Sequence, residues 1–432
     1  MKKAASLIRP DYDQPNYDPR KIAPYTLEDP LTFTNGEKVK TLEDWKCRRR
    51  EILKIFELEM FGEEPPAPET FIIENFEEKE GALAGFAVRT QYKMYFKSDK
   101  SGPCINWLLL RPRHIKEPVP VIMFLNYRGN QELIPDPEIP LMANWVRNDE
   151  FSRDHHAVEA TRGIMCDPNS DTVLPIGMIL ARGYAVLTAC YAEVSPDPTR
   201  EESDEGYEQE TFAYTGVFEL WGKRDESRTD NITALGAWAW ALSRGVDLVE
   251  TLPDLNVNKI VVTGCSRLGK TALLAAARDE RFAVCVPNQC GGGGVTLAKR
   301  DFGENIATEM YSFTHWYCKA YKKYEKNPAE LLNFDQHLLV ATIAPRPLLV
   351  VGFGSPWFDT EGEYLACKAA GCVWEFLGMP GFPEVDYPAE YDLAAVGRYL
   401  GYAHRSEEHG ISAWDWTLLL DFASFHLKAA TI

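Results

Sequence analysis

The stretch KIVVTGCSRLGKTALLAAARDE (residues 259–280) decides the fold, because an apolar run breaks at a glycine-flanked turn and passes straight into an alanine-rich helical segment. Two readings of that turn compete. In the first, a sharp strand-to-helix turn lifts the Ser266 hydroxyl above a sheet, beside backbone N–H groups at a helix start, as nucleophilic acyl transfer requires. In the second, Gly264, Gly269, Lys270 and Thr271 complete the spacing G-x-x-x-x-G-K-T. That pattern wraps phosphates in backbone amides, with the lysine on the β/γ-phosphates and the threonine on magnesium. It also needs an apolar strand ending in Asp to help hold the metal. The apolar runs VIMFLN (121–126), YAVLTACYAE (184–193), FAVCVPN (282–288) and PLLVVGFG (347–354) end in Asn, Glu, Asn and Gly instead. Arg267 and Leu268 are bulky where a phosphate demands close backbone approach. The serine reading is preferred, and a P-loop NTPase is the remote alternative.

Working outward, strand and helix patterns alternate: strand 184–191, helix 232–250, strand 259–265, helix 268–279, strand 282–287, strand 347–353, helix 360–370, strand 372–377 and a closing helix 413–427. Upstream, 118–126 is a nearly all-apolar run that reads as a buried central strand, and 83–110 alternates as antiparallel strands do. Residues 43–61 set Trp45, Ile52, Leu53, Ile55, Phe56, Leu58 and Phe61 on one helical face. Such alternation predicts an α/β fold, a three-layer α/β/α sandwich whose central sheet is mostly parallel, with active groups at the carboxyl ends of the strands. No linker interrupts it, so 1–432 reads as one domain, with 1–110 an arm, a helix and antiparallel strands packed on it. The irregular segments 127–180 and 192–230 are long enough to carry function.

Composition narrows the partners. The 432 residues are 45% apolar and 25% charged, ordinary for a globular protein, with a formal net charge of −18 that opposes nucleic acid and anionic membranes. Ten cysteines lie scattered without metal-ligand spacing, so neither a metal site nor a cofactor is implied; Cys190, Cys265 and Cys285 read as small buried hydrophobes. Free thiols favour a reducing compartment. The opening MKKAASLIRP has too short an apolar stretch for a secretory signal, which needs ~7–15 such residues. No run approaches the ~18 needed to span a bilayer. The chain is read as cytoplasmic, with secretion behind a signal absent from this sequence as the alternative; its oligomeric state stays open.

For acyl transfer Ser266 needs a base, a group to orient that base and donors for the developing oxyanion. Two histidines precede the closing helix, His404 and His409, the latter in the loop EEHGISAWDW. His155, His156 and His426 read as solvated surface residues, and His337 as packing near a helix.

The segments NYRGN (126–130), RGYAVLTACYAEVSPDP (182–198), GAWAWALSRGVD (236–247), GCSRLGKTALLAAARDERFA (264–283), THWYC (314–318), DQHLLVATIAPRPLLV (335–350), W-x-D-x-x-GEYLA (357–366) and WDWTLLLDFA (414–423) resemble the glucuronoyl esterases, carbohydrate esterase family 15. The likeness runs over roughly 20–430, and G-C-S-R-x-G-K is its specific core. It implies an α/β-hydrolase that cleaves a small-molecule or oligosaccharide ester, the bond between a lignin alcohol and 4-O-methyl-glucuronic acid on xylan. It also implies Ser266 as nucleophile, His409 as general base, Arg267 beside the oxyanion, and Lys270, Glu304 and Trp357 on the uronate ring.

Against that family the chain departs at the triad acid. Family enzymes carry it either in a segment resembling P-x-E-S-G, where this chain reads Pro287-Asn288-Gln289-Cys290-Gly291, or just before the tryptophan, where it reads Ser355-Pro356-Trp357. Gln289 and Ser355 therefore stand where a carboxylate is expected. The Gln289 carbonyl can accept from the His409 Nδ1–H, but its amide can equally donate and trap the wrong tautomer; if Gln289 occupies the place of the acid, Gln289→Glu is expected to raise kcat about tenfold or more. Asp359, the nearest carboxylate in sequence, reads as structural. The expectation is a serine carboxylesterase with a weakened or relocated acid; the alternative is a carbohydrate-binding pseudoenzyme.

Overall fold

The computed structural model describes residues 15–149, 151–200, 209–406 and 408–427. Nine strands form its central sheet. These are β1 (Ile72–Ala82), β2 (Ala87–Tyr95), β3 (Cys104–Pro112), β4 (Val119–Asn126), β5 (Ala185–Cys190), β6 (Leu255–Cys265), β7 (Val284–Asn288), β8 (Leu348–Phe353) and β9 (Leu400–Arg405). Their spatial order is β1-β2-β3-β5-β4-β6-β7-β8-β9. Strands β4 to β9 run parallel. The first three join antiparallel and extend the same sheet. The main helices are α1 (Leu42–Phe56), α2 (Ala234–Glu250), α3 (Arg267–Arg278), α4 (Thr360–Phe376) and α5 (Ala413–Leu427).

The apolar runs are continuous because the parallel strands are covered on both faces. Along β4, Val121, Met123 and Leu125 enter one core with Trp238 of α2 and Leu273 of α3. Ile122 and Phe124 enter the other with Trp416 and Leu419 of α5. The result is the α/β/α sandwich of an α/β-hydrolase. Helix α1 starts at a reciprocal capping box, Thr41 with Asp44, and buries Trp45, Ile52 and Phe56. Among the described residues no helix is long and apolar enough to cross a membrane.

Three elements differ from the sequence reading. Residues 372–377 continue α4 instead of forming a strand, because Tyr364, Cys367, Ala370, Val373 and Trp374 keep one helical face buried up to the left-handed Gly378. The last strand is β9, whose sequence LGYAHR carries too little apolar patterning to announce it. Edge strand β1 went unread too, since IIENFEEKEGA is mostly charged on its open face.

Candidate active site

Ser266 stands between β6 and α3 at φ 57° and ψ −128°, a strained conformation for a residue with a side chain. The turn is held from within: the Ser266 N–H donates to the Asn288 carbonyl (3.0 Å), and the Ser266 carbonyl accepts from Gly269 and Lys270 N–H (2.9 and 3.0 Å). Its glycines are steric requirements. A Cβ on Gly264 would sit 2.2 Å from the Leu268 carbonyl oxygen, and one on Gly269 2.5 Å from that of Asn288. Arg267 opens α3, so its N–H has no acceptor within the helix.

The Arg267 side chain is anchored on a residue that sequence reasoning missed. Asp197, fully buried, accepts from Arg267 Nη1 (2.5 Å), Arg147 Nη2 (2.7 Å), Trp316 Nε1 (2.7 Å), His315 Nε2 (2.8 Å) and the Tyr191 hydroxyl (3.2 Å). Burial alone would raise its carboxyl; the two guanidiniums outweigh burial and hold it far below the usual range. Burial likewise opposes the charge on Arg267, and Asp197 keeps it fully protonated. An ionised carboxylate only accepts, so His315 donates through Nε2; burial keeps that imidazole neutral. The guanidinium packs 5.1 Å from the Trp316 ring centroid. Its Nε is buried with no hydrogen-bond acceptor among the described residues.

Lys270, one turn into α3 and 2% exposed, places its ammonium 3.0 Å from Glu304 Oε2 and 3.0 Å from Glu309 Oε1. Burial would pull it down, yet the two carboxylates together hold it above its ordinary value. Glu309, a second residue the sequence did not single out, is pushed up to about 7 by burial and accepts from the Tyr317 hydroxyl (2.5 Å). Trp357 is half-buried, and its carbonyl accepts the Glu304 N–H (2.7 Å). Lys270 and Glu304 therefore meet through their side chains, and Trp357 joins Glu304 through the backbone. The Lys270 ammonium is occupied by two carboxylates that would repel phosphate, and the Thr271 hydroxyl is spent on the Arg267 carbonyl (2.8 Å), so the phosphate-loop reading fails on geometry.

His409 lies in the loop between β9 and α5, exposed along one edge and stacked on Phe358, with ring centroids 5.1 Å apart. Desolvation, then the Arg267 charge, push its imidazole down to about 4. His404, the other candidate, is buried in β9 against Tyr387, ring on ring at 5.1 Å. Neither acid position supplies a carboxylate, and Gln289 does not serve the ring as expected. Its Oε1 accepts the Gly410 N–H (3.0 Å) and its Nε2 donates to the Gly410 carbonyl (2.5 Å), so both ends of the amide are engaged by backbone. Ser355 sits in a tight turn, its N–H on the Phe353 carbonyl (2.6 Å). Asp359 caps α4 and pairs with Arg300 (2.7 Å). His155 is a correction: it is buried, stacked on Trp145 at 4.9 Å, not solvated. His337 is buried within the short helix Gln336–Ala341, and His426 is half-buried. Cys190, Cys265 and Cys285 are buried free thiols. Among the described residues no cluster of three His, Cys, Asp or Glu is placed to hold a metal.

A mostly parallel sheet bearing a serine on a strained strand-to-helix turn, flanked by an anchored guanidinium, defines an α/β-hydrolase built for ester chemistry. Comparison with known proteins agrees. A family model described as glucuronyl esterase of fungi matches residues 195–378. Carbohydrate esterase MZ0003, from an unknown prokaryotic organism, is 35% identical over 425 residues, spanning 96% of this chain and 94% of that protein. A 4-O-methyl-glucuronoyl methylesterase of Schizophyllum commune is 27% identical over 83% of this chain and 76% of its own length. Among solved structures, a promiscuous CE15 esterase from a marine bacterial metagenome superimposes with a TM-score of 0.85 at 33% identity, over 96% of this chain and all (100%) of that one. A glucuronoyl esterase from Solibacter usitatus gives 0.85 at 31%, over 95% and 100%. The chain belongs to carbohydrate esterase family 15, the glucuronoyl esterases, and is a carboxylic ester hydrolase.

Proposed function

We propose that this enzyme hydrolyses esters of glucuronic acid or 4-O-methyl-glucuronic acid, with Ser266 as nucleophile and His409 as general base. The observation that carries the reading is the strained strand-to-helix turn that holds Ser266, followed at once by Arg267, whose guanidinium is pinned by Asp197. His409 takes the Ser266 proton as the oxygen attacks the ester carbonyl. The oxyanion forms against Arg267 and the amino end of α3, where one such donor contributes about 2.7–4 kcal/mol and charge assistance adds to it. Collapse expels the alcohol, which receives the proton from His409. Water, deprotonated by the same imidazole, then releases the uronate and regenerates the serine.

Lys270, Glu304 and Trp357 supply an ammonium, a carboxylate and an apolar ring, the groups that hold sugar hydroxyls and a pyranose face. The substrate class is a small-molecule or oligosaccharide ester of the uronate. Relatives named as esterases and methylesterases favour turnover over a binding-only role. The test is release of benzyl alcohol from benzyl glucuronate by the full chain. Hydrolysis that is lost in Ser266→Ala supports the reading; a rate that persists in that variant removes it.

A further inference from the structure

The missing acid raises a mechanical question. A triad carboxylate does two things: it fixes the imidazole in one orientation and it stabilises the imidazolium. Here the residue in its place is uncharged, fully buried and held at φ 51°, with its own N–H on the Val351 carbonyl (2.7 Å). Its side chain grips both backbone groups of one residue, donating to the Gly410 carbonyl and accepting the Gly410 N–H, and so holds the two peptide units that flank it. The Cys265 thiol also approaches Oε1 (3.8 Å). Gly410 is the residue after His409.

Other contacts tighten the same stretch of backbone. Arg405 Nη2 donates to the Gly410 carbonyl, and Arg405 is itself held by Asp415 (2.8 Å). On its far side Gly410, at φ 138°, lies so close to Asp171 that a Cβ would fall 1.6 Å from the Asp171 carbonyl oxygen. One residue on, the Ile411 carbonyl accepts the Val173 N–H (2.8 Å). The chain of contacts from the nucleophile is short: Ser266 N–H to Asn288, then Gln289 to Gly410, then His409.

We propose that Gln289 is a positioning residue: it orients His409 by clamping the backbone N–H and carbonyl of Gly410, replacing the orienting half of the triad carboxylate with a neutral backbone grip. This rests on the esterase reading above. The charge-stabilising half is not supplied by this grip. Arg267, Arg405 and Lys270 present positive charge to the imidazole, and Asp171, 53% exposed and 3.6 Å from Arg128, opposes them.

The clamp and a ring-bonded acid predict opposite signs for Gln289→Glu. An ionised carboxylate cannot donate to the Gly410 carbonyl, whereas a protonated one can donate to it and still accept the N–H, as the amide does. Under the clamp, the ratio of Gln289→Glu to wild-type kcat falls at least tenfold as pH rises through the ionisation of the new carboxyl. Were residue 289 to reach the imidazole, the ratio would rise with pH and exceed one, which overturns the proposal. The ionisable and charged groups packed around position 289 are Cys265, Arg405 and Asp415.

The apolar Gln289→Met should lose tenfold or more in kcat with KM within about twofold, since Lys270, Glu304 and Trp357 are not touched. A variant with wild-type kcat and only a lowered Tm assigns a purely structural role and also overturns it. If Gln289→Met does not fold, the pH ratio of the near-isosteric Glu variant decides. Labelling of Ser266 by an aryl fluorophosphonate separates the two hypotheses, because it reports activation of the serine independently of the sugar. A wild type that labels rapidly but leaves benzyl glucuronate intact removes the substrate assignment, and the labelling rates of the variants then test the clamp. A wild type that does not label removes both.

Discussion

Asp197→Asn is the sharpest perturbation of this site, because it keeps shape and removes the one charge that two guanidiniums share. The carboxylate accepts five donors, three on Oδ2 (Arg147, Arg267, Tyr191) and two on Oδ1 (His315, Trp316). Whichever way an amide is turned, its NH2 meets donors. Removing one partner of a buried ion pair costs about 3–5 kcal/mol. For 432 residues the unfolding entropy is roughly 0.9 kcal/mol/K, so Tm falls by about 3–6 °C. Activity falls further than stability explains. Arg267 loses its anchor, and a misplaced oxyanion donor costs on the order of 10²–10³ in kcat. Steady-state hydrolysis of benzyl glucuronate by Asp197→Asn, Arg267→Ala and the double variant forms the cycle. If Asp197 acts by holding Arg267, the double variant loses no more kcat than Arg267→Ala alone. A single Asp197→Asn that unfolds earlier yet keeps kcat within threefold, or losses that multiply in the double variant, refutes the coupling. The low native pKa of Asp197 adds a second readout. Its stabilisation is present above the unfolded carboxyl value near 3.8 and is lost as pH falls through the folded value, so acid unfolding of wild type is steeper than that of the Asn variant.

Three further outcomes follow from the geometry. His409 must be neutral to act as a base, and desolvation with Arg267 sets it near 4, so kcat/KM should hold from pH 7 down to pH 5 and fall only below; a half-maximum at or above 6.5 contradicts this. Glu363 is buried, with its carboxyl pushed up to about 8 by burial and Oε1 on the Gly291 N–H (3.1 Å), while Oε2 has no partner among the described residues. A carboxyl raised in the folded state costs stability as pH climbs from about 4.5 to 8, so Glu363→Gln should stabilise by an amount that grows with pH to the order of 1–3 kcal/mol. Equal Tm gains at pH 5 and pH 8, measured by calorimetry, contradict it. Lys270→Met leaves Glu304 and Glu309 without their shared cation, and should raise KM for benzyl glucuronate tenfold or more and lower Tm; an unchanged KM removes Lys270 from substrate binding.

Local signals carried much of this. The nearly all-apolar run of β4, the glycine-flanked serine turn and the helical face of 43–61 are written in neighbouring residues, and the structure has a strand, a turn and a helix there. The last strand was misplaced because apolar periodicity favours a run such as CVWEFL and is silent on a short one such as LGYAHR.

What the sequence determined by itself is the layered α/β architecture, the strained serine turn and membership of a family whose acid positions hold Gln289 and Ser355. These depend on spacings of a few residues, which chain order preserves. What the tertiary structure decided is who holds whom: Arg267 meets Asp197 across 70 residues, Lys270 meets Glu309 across 39, and Gln289 meets Gly410 across 121. Partnerships of that kind arise where loops from separate strands converge at one end of the sheet. The physical reason is that burial makes each charge or amide seek a specific partner, and only the packed fold brings that partner within reach.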